Sequence, residues 1–352
     1  ESARQYFEES LCFYREVGEQ WAVALLLERL GAVNENLADY DRARSVLEEC
    51  LTIRRSLGDR LGVGHALQWL SAVFSKQGHY EQAEGLVLES IAICQELDDR
   101  VGIAHGQQNL AANLMLRGRF FEAQPLLEQA AAAHNELGMR YWFAVDIDLL
   151  GWTKANLALY EAAHRLSADA RNLFTEIGDR EGIALACLSL AEVALAEQAY
   201  GDAQDLLEES ISILRDIGHR EFLAQALGEL ASAERALGRL PEARSHLNEG
   251  LQIAAEIRAQ LPKLWSVAHF ALLLTNRGQP ERAVELYALA SRYPYIGNSR
   301  FWEDIAGTHI AAAAASLSPD VVAAAQERGR ARDLDATVVE LLTELDDETE
   351  GP

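Results

Sequence analysis

Residues 58–97, GDRLGVGHALQWLSAVFSKQGHYEQAEGLVLESIAICQEL, hold a pattern that returns every 40 residues along most of a 352-residue chain. Leu30, Leu70, Leu110, Leu150, Leu190, Leu230 and Phe270 form a large apolar column, and Ala43, Ala83, Ala123, Ala163, Ala203, Ala243 and Ala283 form a column of alanine alone. A third column, Cys50, Ser90, Ala130, Ala170, Ser210, Gly250 and Ala290, is small throughout, and Tyr40, Tyr80, Phe120, Tyr160 and Tyr200 make an aromatic one. Each period holds two apolar patterns of helical spacing, separated by corners that carry glycine. A lone pair of such helices cannot bury both faces, so successive pairs must stack and share a core. The small columns mark where helix axes come close. A side chain longer than alanine at Ala83 costs about 1–3 kcal/mol in overpacking.

Leu67, Leu70, Ser71, Phe74, Gly78, Tyr80, Ala83 and Ser90 together resemble the tetratricopeptide repeat, large residues at its knobs and small ones at its holes. The resemblance covers residues 18–297 in seven units starting near 18, 58, 98, 138, 178, 218 and 258. The unit is longer than the family's usual length of about 34 residues. It implies an all-α, right-handed, TPR-like superhelical solenoid of antiparallel helix pairs. Residues 1–17 read as the second helix of a truncated repeat, 298–345 as a helical cap, and 346–352 as an acidic disordered tail. The wording of the units, and RGRARDLDATV at residues 328–338, resemble bacterial signal-transducing ATPases with numerous domains (STAND regulators), whose repeats are the sensor end. That likeness implies a nucleotide-binding domain upstream.

Charge narrows the partners. With 31 Lys and Arg against 55 Asp and Glu, the net charge of −24 excludes a phosphate-binding surface, and no nucleic acid is expected. No apolar run approaches the ~20 residues that cross a bilayer, and the start ESARQYFEES has no secretory character. Cys12, Cys50, Cys94 and Cys187 form no CxxC and read as small core residues in a reducing cytoplasm. With no apolar outer stripe, a monomer is the default expectation. No phosphate-binding GxxxxGK[ST], HExxH or GxSxG occurs, and the nine histidines form no metal-ligand pair along a helix. Neither catalysis nor a cofactor nor a metal is expected.

The corners carry their own chemistry. Glycine at 18, 58, 138, 178 and 218, and again at 78, 118, 238 and 278, suits a left-handed helix end. Ala38, Ala158 and Gln198 stand in glycine's place, so those corners either differ in conformation or carry strain. Asp59, Asp99 and Asp179 are suited to cap the following helix. Arg60, Arg100, Arg140, Arg180 and Arg220 recur after them, as an anion ladder or as partners of acids near their own turns.

The tetratricopeptide resemblance places ligand on the first helix of each unit, facing the concave side. The residues so placed are His65, Gln68 and Lys76, then His105, Gln108 and Met115, then Asp148 and Trp152, then Arg235, and last Trp265 and Asn276. Beside them Tyr141 and Trp142 join Trp152 in an aromatic cluster, while Trp21 and Trp69 are assigned to packing between units. The repeated H-x-x-Q, His65 with Gln68 and His105 with Gln108, is either a hydrogen-bonding ladder for a polar peptide or a relic of duplication. Lys76, Asn36 and Arg235 are too scattered for the clamp that grips a C-terminal carboxylate. The expected role is a sensor that binds a protein, peptide or small-molecule activator and controls the upstream ATPase. A constitutive scaffold and a peptide-pheromone receptor are the alternatives.

Overall fold

A computed structural model describes residues 2–257 and 259–347, and every element in them is helical. The repeats give α1 (Ser2–Val17), α2 (Gln20–Asn36), α3 (Tyr40–Ser56), α4 (Arg60–Lys76), α5 (Tyr80–Glu96), α6 (Arg100–Leu116), α7 (Phe120–Glu136) and α8 (Arg140–Asn156). They continue as α9 (Tyr160–Ile177), α10 (Arg180–Ala196), α11 (Tyr200–Ile217), α12 (Arg220–Ala236), α13 (Leu240–Ile257), α14 (Gln260–Asn276) and α15 (Pro280–Ser291). Shorter pieces follow: α16 (Pro294–Gly297), α17 (Arg300–Trp302), a π-helical turn (Glu303–Gly307) and α18 (Thr308–Ala314), then α19 (Pro319–Ala331) and α20 (Leu334–Asp347). Arg258 and residues 348–352 of the expected tail lie outside the described residues. The helix α20 runs through Asp347, into the stretch expected to be a tail.

From α2 onward the even-numbered A helices start 40 residues apart, and so do the odd-numbered B helices from α3. Contacts divide the chain into two units, Glu1–Leu116 with Glu122–Asp146, and Arg117–Phe121 with Ile147–Pro352. In the first unit each helix from α1 to α6 packs on the next, and α2, α4 and α6 also touch in turn. In the second, the same holds from α9 to α15, and α10, α12 and α14 touch in turn. Both units are thus solenoidal stacks of helix pairs of the tetratricopeptide kind.

The columns explain the stacking. All seven alanines of the alanine column are fully buried, and Leu30, Leu70, Leu150, Leu190, Leu230 and Phe270 are buried. The third column does more than save space. Cys50 Sγ donates to Ala24 O (3.2 Å), Ser90 Oγ to Gly64 O (2.7 Å) and Ser210 Oγ to Ala184 O (2.8 Å), the same bond between B and A helix in three units. At Gly250 an added Cβ would lie 3.1 Å from Ala224 O, the equivalent carbonyl. The cysteine assignment holds for Cys50, Cys94 and Cys187, whereas Cys12 is exposed.

Each corner closes in one way. The amide three residues past the helix bonds back to a carbonyl in its last turn, as in Asp59 N to Arg54 O (3.0 Å) and His79 N to Phe74 O (2.9 Å), with the residue just before that amide left-handed. Ala38 (φ 57°), Ala158 (φ 58°) and Gln198 (φ 62°) adopt this conformation although they are not glycine, and Asp98 (φ 53°) does so as well. The corners therefore carry strain and keep the same path. Gln198→Gly is expected to raise the melting temperature through a net ~0.5–1 kcal/mol, the left-handed penalty less glycine's extra unfolded-state entropy. Unchanged or reduced stability in a thermal melt would show the strain to be absent.

Asp59 accepts from Gly62 N (2.9 Å) and Asp99 from Gly102 N, while Asp179 makes no side-chain cap. The arginine column is paired, but not with acids of its own turn. Arg100 meets Glu136 at 2.6 Å and Arg180 meets Asp216 at 2.9 Å, and Arg60 and Arg220 pair likewise with Glu96 and Glu256. The partner stands 36 residues on, because the start of an A helix lies beside the end of its own B helix. A second set, Arg15 with Glu49 and Arg215 with Glu249, ties successive B helices. Exposed pairs of this kind contribute little each.

Candidate functional site

In the first unit, the A-helix face starts with a buried ion network. Arg54 bridges Glu28 (2.9 Å) and Asp59 (2.6 Å), and Gly62 leaves room for its guanidinium. His65 is half-buried, its Nε2 at 3.2 Å from Asp99 Oδ2. Gln68 is buried and donates to Gly102 O at 2.7 Å, across the seam between α4 and α6. Gln108 is buried too, Met115 is packed in the core, and Lys76 is half-buried. The four side chains of the H-x-x-Q pattern do not form an open ladder, since both glutamines are interior. Met115 likewise cannot line an open surface.

His105 packs against Trp142 (ring centroids 4.3 Å) and His134 (4.9 Å), and burial, with His134 and His65 adding to it, lowers its pKa to about 4. His134 Nδ1 lies 2.6 Å from Asp146 Oδ2, both fully buried. Tyr141 meets Trp142 edge-on at 5.1 Å and stays 42% exposed, which makes it the open aromatic of this face. Trp21, expected in packing, is 60% exposed. Trp69 is half-buried.

The second unit differs. Trp152 Nε1 donates to Glu192 Oε1 (2.9 Å), and Gln225 Nε2 donates to both Glu192 Oε1 (3.0 Å) and Glu229 Oε1 (2.9 Å). Glu192 and Glu229 are buried, and neither makes an ion pair among the described residues. Burial raises Glu192 well above its ordinary value, with Glu229 as a like charge beside it; burial likewise raises Glu229 to about 8. Burial also lifts Asp148 to about 7. Arg235 Nη1 donates to Asn276 Oδ1 (3.0 Å), and burial lowers the Arg235 pKa.

Trp265 is interior rather than on an open face, and the reason is a segment beyond the last repeat helix, α15. Residues 293–304, called the strap below, run over the A helices of this unit. Tyr295 is buried against Phe120 (5.9 Å), Trp152 (6.0 Å) and Trp265 (6.1 Å). Ser299 Oγ donates to Asn156 Oδ1 (2.7 Å), Tyr160 Oη to Asp304 Oδ2 (2.6 Å), and Trp302 packs on His269 (4.9 Å). At the corner before α7, a Cβ on Gly118 would meet Pro294 O at 2.1 Å. Gly238 and Gly278, at the same corner of other units, have nothing within 4 Å, so Gly118 serves the strap as well as the turn.

Sequence reasoning passed over Glu192, Glu229, Tyr295, Ser299 and Trp302. Glu192 had a signal, for it stands in the column, Ala72, Ala112, Trp152, Glu192, Ser232, Leu272, that the resemblance expects to face ligand. The strap had none, because it is aperiodic.

The fold and this face define a helical-hairpin repeat protein. The tetratricopeptide repeat pattern matches residues 22–96 and 182–256. No curated protein matches the chain in sequence. Among solved structures, a Rap protein complexed with competence and sporulation factor is similar over 98% of this chain and 99% of its own, with a TM-score of 0.64 at 14% identity. Aspartyl phosphate phosphatase F from Bacillus subtilis has a TM-score of 0.54 at 12% identity, over 95% of this chain and 96% of its own. A STAND protein with a tetratricopeptide repeat sensor from Pyrococcus horikoshii has a TM-score of 0.53 at 12% identity; 97% of this chain aligns, over 55% of that one. At such identities the likeness is one of fold. Among the described residues no helix is long and apolar enough to cross a membrane, and no group of side chains is placed to hold a metal.

Proposed function

We propose that the chain is a recognition domain that binds a protein or peptide activator on its A-helix face, as the sensor of a STAND-type ATPase whose nucleotide-binding domain lies elsewhere in the polypeptide. The observation that carries the reading is the contrast between faces. B helices present paired surface charges, whereas A helices concentrate His65, His105, Tyr141, Trp142, Trp152, Glu192 and Gln225 at repeated positions. Aromatic and polar groups gathered on one face suit recognition better than scaffolding. The fold likeness to a Rap protein complexed with competence and sporulation factor, and to a STAND protein with a tetratricopeptide repeat sensor, supports the same direction.

In this reading, ligand favours one arrangement of the stacked helices, and that bias reaches the ATPase. A constitutive scaffold is the rival, and X-ray scattering separates them: a sensor's profile changes on adding its ligand, a scaffold's does not. The face is tested by affinity capture with Tyr141→Ala and His65→Ala combined, both side chains being accessible. Loss of at least about tenfold in partner affinity is expected, with unchanged melting. A partner retained at full affinity would move the site off this face.

A further inference from the structure

The seat of Tyr295 has more chemistry than a tyrosine uses. Three rings, those of Phe120, Trp152 and Trp265, surround it at 5.9–6.1 Å, and the phenol feels the charges of both Glu192 and Glu229. Those two carboxyls have no arginine or lysine partner among the described residues, and Gln225, itself 2% exposed, leaves Oε1 without a donor. Aromatic rings around a point backed by two acids without a countercharge suit a cation, whose arrival lets the acids, protonated in its absence, ionise against it. The strap brings a neutral group to this place.

We propose that the seat is a binding site for the cationic side chain, arginine or lysine, of a basic peptide, and that the strap occupies it in the absence of that peptide. The inference rests on the recognition reading only in taking the A-helix face as the ligand side. The strap already supplies the pattern of such a guest. It is a run of short helical turns, α16 and α17, held by one side chain in the ring-lined seat, by Ser299 on Asn156 four residues on, and by backbone running close past Gly118. Its π-helical turn at Glu303–Gly307 is a fault of the kind that clusters at functional sites. A guest with arginine in the seat brings the countercharge that the strap lacks, and the net charge of −24 draws basic peptides to the chain.

Two synthetic peptides test this against the full chain carrying Tyr295→Ala, which vacates the seat. One is the strap sequence YPYIGNSRFWED, and the other has arginine in place of its third residue, Tyr295. By fluorescence anisotropy the arginine peptide should bind about tenfold or more tighter, and the added change Glu192→Gln should abolish that preference. Equal affinities, or a preference indifferent to Glu192→Gln, would overturn the proposal. Should Tyr295→Ala fail to fold, hydrogen exchange on the unmodified chain decides. Excess arginine peptide should deprotect the amides of residues 295–304 and leave α14 protected, and unaltered protection of the strap would refute it. Neither readout involves the first unit, so either can fail while the sensor reading stands.

Discussion

Replacing Trp302 by alanine is expected to destabilise the second unit by ~3–5 kcal/mol, among the largest costs a single side chain can carry, although the residue belongs to no repeat. The ring is 2% exposed, packed on Phe301 at 5.7 Å and on His269 at 4.9 Å. His269 is in turn held by Ser232, whose Oγ lies 2.6 Å from its Nδ1, and burial lowers its pKa to about 3. Removing the indole leaves a cavity beside a neutral histidine, so the transfer and cavity costs add. The backbone joins in, since Trp302 O accepts from Tyr287 Oη at 3.1 Å and Trp302 N donates to Ser299 Oγ at 3.1 Å. Trp21→Ala, at a site 60% exposed, should change stability by no more than about 0.5 kcal/mol. Chemical denaturation of both variants measures the contrast, and equal midpoints would mean that the strap adds nothing to the unit it crosses.

That contrast also marks where sequence could and could not be read. The repeat columns announce the helix pairs because close packing demands small side chains at fixed spacing, and Ala43 through Ala283 are buried as that demand requires. The corners were legible for the same local reason. What a side chain does on the A-helix face depends on what covers it, and there the pattern is silent. Gln68 looks like a polar ligand contact in sequence, yet it bonds Gly102 O across the helix seam. Trp265 looks like an aromatic anchor for a partner, and it is an anchor for Tyr295 of the same chain. The bonds that hold the strap, Ser299 to Asn156 and Tyr160 to Asp304, join residues 143 and 144 apart, a separation with no counterpart in a 40-residue period. Trp21 shows the opposite limit, since nothing in its sequence neighbourhood tells that it faces solvent.

Stability should fall gently from about pH 4.5 to 6.5 and then more steeply as pH rises toward 8, the reverse of what the acidic composition suggests. Asp148, Glu229 and Glu192 decide the upper limb. Burial raises all three, to about 7, to about 8 and well above the ordinary value, while in the unfolded chain they titrate near 4. Between those limits the folded chain keeps protons that the unfolded chain has released. Their contribution is therefore complete below about pH 4 and is lost as pH climbs through the folded values, at about 1.4 kcal/mol per pH unit for each proton held. His105 and His269 work the other way. Their folded values, about 4 and about 3, lie below the usual ~6.5, so the stability they lend is lost on acidification below that point and offsets two of the three acid protons between about pH 4.5 and 6.5. Asp59, Asp99 and Glu285, lowered on balance by hydrogen bonds and ion pairs that outweigh burial, add to the loss in acid. Melting temperatures across pH 5 to 9 should show the decline above about 6.5, and Glu192→Gln with Glu229→Gln should flatten it. A double variant that keeps the full slope would show that the charge forced into the unit at high pH is not on the pair behind Tyr295.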